Sequence, residues 1–289
     1  MKKIIFLIPV FNDWESLSRL IGEIDDVISS EKNFNFECIV VNDNSTINQP
    51  NIIKPPSFKS IKILNMKINK GHARCNAFGI RHINLNKTFD YVIVMDSDGE
   101  DRPIEIKDLI DKIKEVPDIS VVAKRIKRSE GPIFQFLYQL HKLMTIIFTG
   151  KKINFGNYSC LTKKDVDILH DKASLWSSFS GSVKKNITKL NEVNSIRGLR
   201  YFGPSKMSLI NLIIHSFSII GVFKYIVIFR SILIILALSL IFNQSVLVSS
   251  IQVFILIFNV LIFIVSLREN ENALIQSKDN ISKEIEVSQ

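Results

Sequence analysis

Cysteine and histidine are scarce in this 289-residue sequence, and neither is arranged for a metal or disulfide site. The three cysteines, Cys38, Cys75 and Cys160, are widely spaced and form no CxxC pair. A disulfide framework and a zinc ribbon are therefore not expected, and a reduced, cytosolic setting is the default. The five histidines do not cluster, so we expect no zinc centre.

Acidic residues are outnumbered, because 28 aspartates and glutamates stand against 37 lysines and arginines, a formal net charge of +9. Such an excess suggests an acidic partner, which can be nucleic acid, a phosphorylated ligand or an anionic membrane. A signal sequence is not expected either, because the apolar run that begins at Ile4 is short and no small-residue cleavage site follows it. A first β-strand explains this run better.

One long hydrophobic region extends from Ile226 to Leu267, interrupted by Arg230 and a few Ser, Asn and Gln residues. A transmembrane helix needs about 20 apolar residues, so this region holds two spans with a turn inside Asn243–Ser250. Lys224 precedes the first span and Arg268 follows the second, which predicts a hairpin with both ends in the cytoplasm. Two core helices of a soluble domain are the alternative, and the length and continuity of the region argue against it.

The first 125 residues alternate between apolar runs and amphipathic segments, which predicts an α/β fold with a mostly parallel sheet covered on both faces. The strands are expected at Lys3–Pro9, Phe36–Val41, Ser60–Leu64, Asp90–Met95 and Ile119–Ala123. The helices are expected at Trp14–Ser30, Gly71–Ile83 and Pro103–Glu115.

Polar clusters follow three of these strands, at Phe11–Glu15, Asn42–Ser45 and Asp96–Asp101. Ligands of open α/β sheets bind outside the carboxyl ends of the strands, so the three clusters are expected to converge on one site.

The segments beyond the sheet are less regular. A basic run, Lys124–Arg128, precedes an apolar helix at Ile133–Phe148, for which a core position and an interfacial position both stay open. An amphipathic juxtamembrane helix is expected at Met207–Phe223. The charged tail after Arg268 is expected to fray.

Four carboxylates lie within six residues: Asp96, Asp98, Glu100 and Asp101. Residues two apart on an extended strand end point to the same side, so Asp96 and Asp98 need a cation between them. Mg2+ and Mn2+ take oxygen ligands and commonly share them with a diphosphate. A solvated acidic turn is the alternative. An EF-hand is excluded, because Gly99 falls at the fourth loop position and no Glu falls at the twelfth.

Four motifs in order, IPVFND, VVNDNS, NKGHARCNAFG and MDSDGED, together resemble the family 2 glycosyltransferases of the GT-A fold over about residues 3–125. The later motif RYFGPSK, the amphipathic helix and the two spans resemble the polyprenyl-phosphate glycosyltransferases, the dolichol-phosphate mannose synthase-like branch. This resemblance implies transfer of one sugar from a nucleotide donor to a membrane-embedded polyprenyl phosphate, with Mg2+ or Mn2+ as cofactor.

The resemblance also implies roles for individual residues. Phe11 would lie against the base or ribose, and Asp43 would accept a hydrogen bond from the base. The nucleotide-sugar would be bound by Pro9, Phe11, Asp13, Asp43, Arg74, Asp96, Ser97 and Arg200. The metal would be bound by Asp96, Asp98 and Glu100. The catalytic residues would be Asp98, Arg125 and Lys206, of which the two cations, with Arg200, neutralise the donor diphosphate and the acceptor phosphate.

Several of these residues have a structural alternative. Asp13 is also placed to cap the first helix, and Arg74 is also placed to be a solvated residue on a helix face. Lys124, Lys127 and Arg128 fit a membrane-surface patch better than a catalytic clamp. A phosphate acceptor is already ionised and needs no strong base. If the acceptor were a sugar hydroxyl, Asp101 would be the candidate base.

Three features depart from the resemblance. The segment Gly156–Ser159 reads G-N-Y-S where the dolichol-phosphate branch commonly has G-D-F-R, and Glu100 stands where many relatives carry Gln. The polar segment Ser174–Lys189 matches no known pattern. A processive polysaccharide synthase is not expected, because Q-x-x-R-W is missing and two spans are too few for a channel.

The sequence therefore predicts four regions: a GT-A, Rossmann-like domain (1–206), an amphipathic helix (207–224), two transmembrane helices (225–267) and a polar cytoplasmic tail (268–289). The expected protein is a multi-pass enzyme of the inner, or plasma, membrane with its catalytic domain in the cytoplasm. Its partners would be a UDP- or GDP-sugar, a polyprenyl phosphate and the bilayer, not nucleic acid; homo-oligomerisation stays open. The alternatives are another lipid acceptor, such as a lipid-linked glycan or a glycerolipid, and a catalytically silent nucleotide-sugar scaffold.

Overall fold

The computed structural model describes residues 1–127, 132–204, 208–243 and 245–288. In this part of the chain an eight-stranded sheet has the order β7-β5-β6-β4-β1-β2-β3-β8. The strands are β1 (Lys2–Val10), β2 (Phe34–Asn42), β3 (Phe58–Met66), β4 (Tyr91–Val94), β5 (Val121–Lys127), β6 (Phe155–Thr162), β7 (Asn191–Ile196) and β8 (Ile281–Glu286).

Helices cover the sheet and extend beyond it. They are α1 (Trp14–Ile28), α2 (His72–Asn86), α3 (Ile106–Glu115), α4 (Pro132–Thr149), α5 (Lys163–Leu169), α6 (Ala173–Ser177), α7 (Phe179–Asn186), α8 (Leu209–Gly221), α9 (Lys224–Ile241), α10 (Val246–Ser266) and α11 (Glu271–Ile275). Short 3-10 helices precede α3 at Pro103–Glu105 and follow α11 at Gln276–Asn280.

Parallel pairing dominates the centre of the sheet, where β1 lies between β2 and β4. The side chains of β1 alternate between two cores, with Leu7 packed on the α2 face and Phe6 on the α1 face, both fully buried. The predicted α/β sheet covered on both faces is therefore confirmed. Because β1, β2 and β4 run in one direction, their carboxyl ends meet at one edge.

The C-terminal tail does not fray, and that prediction is wrong. Residues after α10 form α11, a 3-10 turn and β8, which pairs antiparallel with the edge strand β3. Leu274 is fully buried, and Val287 is nearly so. Burial of these two side chains and pairing of the β3 backbone stabilise a segment whose charge suggested disorder.

Helices α9 and α10 lie against each other as an antiparallel pair. Asn259 Nδ2 donates to Ser231 Oγ at 2.8 Å, and Gln252 Nε2 donates to Ser239 Oγ at 2.9 Å. By length and composition both helices are able to cross a membrane. Arg230 joins the pair to the rest of the fold, because its Nε donates to the carbonyl of Ile147 in the last turn of α4.

Candidate active site

The loops after β1 and β2 are joined by Asn12, which adopts a left-handed backbone conformation with a φ of 52°. Its backbone N–H donates to Ser45 Oγ at 2.9 Å, and its Oδ1 accepts from the amides of Thr46 and Ile47. The clusters Phe11–Glu15 and Asn42–Ser45 thus lie side by side at the edge of the sheet.

Asp43 is held by the loop that precedes α2. Its two carboxylate oxygens accept from the backbone amides of Lys70 and Gly71, both at 2.8 Å, and its side chain is almost fully buried. Burial raises the pKa of Asp43, although these two amides favour the ionised form. Arg74 follows one turn later. Burial and the nearby Arg268 lower its pKa to about 10, so it is not a fully solvated residue.

Asp96 follows β4 and is contacted by His72, which the sequence did not single out, and by Asn157, which the sequence marked only as a departure from the family pattern. His72 Nε2 lies 2.8 Å from Asp96 Oδ1, and Asn157 Nδ2 donates to the same oxygen at 3.2 Å. Burial opposes ionisation of Asp96, but His72, Arg125 and Asn157 outweigh it and the pKa is lowered. Asp96 is therefore ionised at neutral pH.

Residues 197–201, here called the arginine strap, lie across the acid cluster, the name used here for Asp96, Asp98, Glu100 and Asp101. Arg200 bridges two loops, donating to Asp98 Oδ2 at 2.8 Å and also to Asp13, while Arg197 pairs with Glu100. The strap backbone is fixed as well, because Gly198 N donates to the carbonyl of Glu100 at 2.8 Å. The role of Arg197 was not predicted, since its separation from Glu100 in sequence gives no local signal.

The hydrogen-bond partners of the Asp13 side chain distinguish between its two predicted roles. Asp13 immediately precedes α1, at the capping position, yet its side chain accepts no backbone hydrogen bond from the helix. Its carboxylate instead accepts from the hydroxyl of Ser16 at 2.7 Å and from Arg200. The helix-cap alternative therefore does not describe the side chain of Asp13.

The acid cluster carries more negative charge than its neighbours compensate. Burial and the charge of Asp96 raise the pKa of both Asp98 and Asp101, in spite of the opposing effects of Arg200 and Arg125. A raised carboxyl pKa means that the ionised form is destabilised where it stands. An added cation would relieve this, so the electrostatics of the cluster suit cation binding.

Arg125 on β5 reaches the same cluster, with its Nη2 3.9 Å from Asp101 Oδ1. Gly156 on the neighbouring strand makes room for it, because a Cβ there would stand 2.6 Å from Arg125 Nη2. The side chain is mostly buried, with 17% of its surface exposed. Arg125 is thus a buried cation facing the carboxylates, unlike a surface patch residue.

The departures within Gly156–Ser159 have a structural explanation. Asn157 stands where a carboxylate would meet Asp96, and its amide donates a hydrogen bond there instead. Ser159 is fully buried in β6, and its hydroxyl donates to the carbonyl of Asn157 at 2.9 Å.

The remaining residues predicted for the site differ in their exposure and contacts. Pro9 is buried within β1, Ser97 is nearly buried, and Phe11 is exposed over 38% of its surface. Glu100 pairs with Arg197, while its backbone N–H donates to Asp98 Oδ1 at 3.0 Å. Lys206, like Arg128, lies outside the described residues.

The profile of the family described as Glycosyl transferase family 2 matches residues 5–175, more than half of the chain. The chain belongs to glycosyl transferase family 2. The matched range contains most of β1, all of β2 to β6 and the whole acid cluster, and the strap lies beyond it. The resemblance stated from the motifs is thereby confirmed for this family 2 glycosyltransferase.

Curated relatives of this family 2 glycosyltransferase include two polyprenyl-phosphate sugar transferases, which supports the predicted branch. An undecaprenyl-phosphate 4-deoxy-4-formamido-L-arabinose transferase of Serratia proteamaculans is 25% identical over 74% of this chain and 65% of its own length. A dolichyl-phosphate beta-glucosyltransferase of Trichomonas vaginalis is 28% identical over 49% of this chain and 46% of its own.

A third curated relative and a solved structure are also similar to this chain. An uncharacterized glycosyltransferase of Synechocystis sp. is 30% identical over 56% of this chain and 51% of its own length. The chain thus spans about half to two-thirds of these curated relatives. Among solved structures, glucosyl-3-phosphoglycerate synthase from Mycobacterium tuberculosis, in complex with Mn2+, UDP-glucose and phosphoglyceric acid, aligns with a TM-score of 0.52. It is 13% identical over 78% of this chain and 80% of its own, which confirms the fold class.

Proposed function

We propose that this family 2 glycosyltransferase is a membrane-anchored, inverting enzyme that moves one sugar from a UDP- or GDP-hexose to a polyprenyl phosphate. The observation that carries the proposal is the acid cluster at the end of β4 with Arg125 and Arg200 set against it. Carboxylates that suit a metal-bound diphosphate, beside cations that suit a second phosphate, are what such a transfer needs.

The donor nucleotide would lie over the joined loops after β1 and β2. Phe11 is exposed enough to stack on the base or ribose, and the Asp43 carboxylate would accept from the base. Pro9 lies beneath this surface, and Arg74 stands near Asp43. Asp13, Asp96, Ser97 and Arg200 would hold the ribose and the diphosphate.

The residues present fit a divalent metal, Mg2+ or Mn2+. Asp98 and Asp101 are destabilised as anions, and the available donors are carboxylate oxygens, which these ions prefer. Among the described residues no three acidic, histidine or cysteine side chains form a ready metal cluster. Asp96, Asp98 and Glu100 would therefore supply only part of the ligand shell, and the diphosphate would supply more. The metal, when bound, acts as a Lewis acid on the leaving diphosphate.

Arg125 and Arg200 would allow the acceptor phosphate and the donor diphosphate to approach each other. Arg125 would face the acceptor phosphate, and Arg200 would turn from Asp13 and Asp98 toward the diphosphate when the donor binds. Lys206, five residues after Tyr201, would add a further positive charge. Because the acceptor phosphate is already ionised, in-line attack on the anomeric carbon needs no proton abstraction, and the product has inverted configuration.

Exposed apolar surface supports membrane attachment. Only 11% of the 18 residues of α9 are buried, and 22% of an 18-residue apolar stretch in the helix that begins at Val246. On α4 an apolar stripe of Phe136, Leu140, Leu143 and Ile147 is exposed at helical spacing, which favours the interfacial alternative for this helix. The proposal places α9 and α10 across the inner membrane, α8 at its surface, and the catalytic domain with the tail in the cytoplasm.

The test uses purified full-length protein in detergent with Mn2+ or Mg2+, undecaprenyl phosphate and a panel of radiolabelled UDP- and GDP-sugars. Metal-dependent label in the organic phase that is lost in Asp98→Ala supports the proposal and identifies the donor. Donor hydrolysis without lipid label would indicate another acceptor, such as a lipid-linked glycan. Neither label nor hydrolysis with any donor would favour a silent nucleotide-sugar scaffold.

A further inference from the structure

The tail that follows the apolar helix pair contacts the loop that holds Asp43. This segment, residues 65–71, consists of the end of β3 and the loop before α2 and is here called the donor loop. The carbonyl of Asn280 accepts from Lys67 N at 2.7 Å, and Asn280 Nδ2 donates to the carbonyl of Ile68 at 3.1 Å. Ser282 Oγ donates to the carbonyl of Asn65 at 2.9 Å, and Lys67 Nζ donates to the carbonyl of Asp279 at 2.8 Å.

The other end of the donor loop contacts the nucleotide pocket directly. Lys70 and Gly71 donate their amides to the two oxygens of Asp43. Asn65 Oδ1 accepts from Asn42 Nδ2 at 2.7 Å, which ties the start of the loop to the end of β2. One short segment therefore lies between the tail and the carboxylate proposed to bind the base.

Burial does not explain the conformation of the donor loop. Residues 67–70 are all exposed, and Ile68 has 56% of its surface exposed. A segment with so little buried apolar surface is held by its hydrogen bonds, and local opening is easy where these are few. In the described structure, the tail supplies the bonds that hold the centre of this loop.

We propose that Asn280 and Ser282 are positioning residues for the nucleotide donor, acting through the donor loop on Asp43. The inference rests on the proposed function, in which Asp43 accepts from the base. It assigns the segment after the apolar helices a part in donor binding, which neither its charge nor its distance in sequence from Asp43 indicates. Loss of the two side-chain bonds would loosen Lys70 and Gly71 and so misplace the Asp43 carboxylate.

The experiment compares the full-length enzyme with the double variant Asn280→Ala/Ser282→Ala. The dissociation constants of UDP and GDP are measured by calorimetry, and the KM for the donor and the kcat are measured in the transfer assay. Two lost hydrogen bonds predict a roughly tenfold weaker nucleotide affinity and a similar rise in KM, with kcat within about twofold. Amide hydrogen exchange at Lys70 and Gly71 is expected to accelerate in the same variant.

Two matched variants separate positioning from general stability. Lys283→Ala changes an exposed residue of β8 whose backbone pairs with Asn65. In the described structure its side chain makes no hydrogen bond to the donor loop, so the variant is expected to bind nucleotide like the parent. Ser282→Thr keeps the hydroxyl, and on the Asn280→Ala background it is expected to restore part of the affinity.

The outcomes distinguish this inference from the proposed function. Wild-type protein that binds neither UDP nor GDP overturns the proposed function and the inference with it. Nucleotide binding that is normal in the wild type and unchanged in the double variant overturns the inference alone. Equal falls in kcat, affinity and thermal stability would also overturn it, because they would indicate a merely structural role for the tail.

Discussion

At the scale of single residues, Gly99 is the position where the acid cluster depends most directly on backbone conformation. It has a φ of +84°, and an added Cβ would stand 2.4 Å from the ring of Tyr201. That ring is held in place by Arg19, 4.3 Å from its centroid, and by a hydrogen bond from its hydroxyl to Glu23. We predict that Gly99→Ala displaces the strap and lowers activity at least about tenfold, since overpacking costs ~1–3 kcal/mol.

Gly203 is the matched control, because it also has a positive φ, of +65°, but no atom of the described residues lies within 4 Å of an added Cβ. Gly203→Ala carries the backbone cost of about 1 kcal/mol without the collision. Thermal unfolding and metal-dependent donor hydrolysis are measured for both variants. Equal activity in the two would show that the Tyr201 contact does not position Asp98.

Asp43 gives a pH dependence whose sign follows from its burial. Burial raises its pKa above the ordinary 3.8 despite the amides of Lys70 and Gly71. The carboxylate of Asp43 is therefore protonated at a higher pH in the folded protein than in the unfolded chain. Ionised Asp43 costs stability at neutral pH, and that cost is relieved as pH falls through the raised pKa.

Nucleotide binding is expected to respond in the opposite direction. As pH falls through the raised pKa of Asp43, the carboxylate loses its charge and the affinity for the base weakens. Asp43→Asn is expected to bind weakly at every pH and to lack this transition. Calorimetric titration with UDP and GDP between about pH 4 and pH 8 measures both. A transition that persists in Asp43→Asn would assign it to another group.

At the scale of elements, the central strands and their helices could be predicted to within a few residues. Apolar runs such as that of β1 are buried on both faces, so burial and sequence pattern coincide. Strand β6 was not predicted, although it is interior and mostly buried. Strands β7 and β8 were not predicted, because they are edge strands with a half-exposed, polar pattern. Their pairing depends on distant partners, as with β8 and β3, and a local pattern carries little information about that.

The candidate active site also depends on contacts between residues that are distant in sequence, which a local pattern does not indicate. The acid cluster and Asp43 could be placed because strand ends carry a motif. The partners of these residues could not, since His72, Arg197 and the strap reach them through space. Asn157 gave a signal, as a departure from the family pattern, but its meaning depended on the position of Asp96.

The pairing of α9 with α10 leads to a prediction for these elements. Asn259 donates to Ser231 across the pair at 2.8 Å, and both helices are otherwise almost wholly apolar. In a double-mutant cycle of Asn259→Ala and Ser231→Ala we expect a coupling of ~0.6–1.7 kcal/mol, the range for hydrogen bonds between membrane helices. Detergent-induced unfolding measures it. The Gln252–Ser239 pair serves as a second cycle, and zero coupling in both would contradict the antiparallel packing.

At the scale of the whole molecule, β8 constrains how the chain crosses a membrane. Its backbone pairs with β3 of the catalytic sheet, so residues after α10 lie on the same side of any bilayer as the catalytic domain. Strand β7, which precedes α8, belongs to the same sheet. The chain between the two strands must therefore cross an even number of times, and two apolar helices satisfy that requirement.

Cysteine labelling tests this topology, because Cys38, Cys75 and Cys160 are all buried and give little background. Asn243→Cys lies in the turn between α9 and α10, and Lys283→Cys lies on the exposed face of β8. In intact cells a membrane-impermeant maleimide is expected to label Asn243→Cys alone, while Lys283→Cys becomes labelled only after permeabilisation. Labelling of Lys283→Cys alone in intact cells would place the α/β domain outside, and labelling of both positions or of neither would show that the pair does not cross. Separation of β8 from β3 would expose the edge of the sheet. An arrangement that puts β8 and β3 on opposite sides of the bilayer is therefore not compatible with the folded sheet.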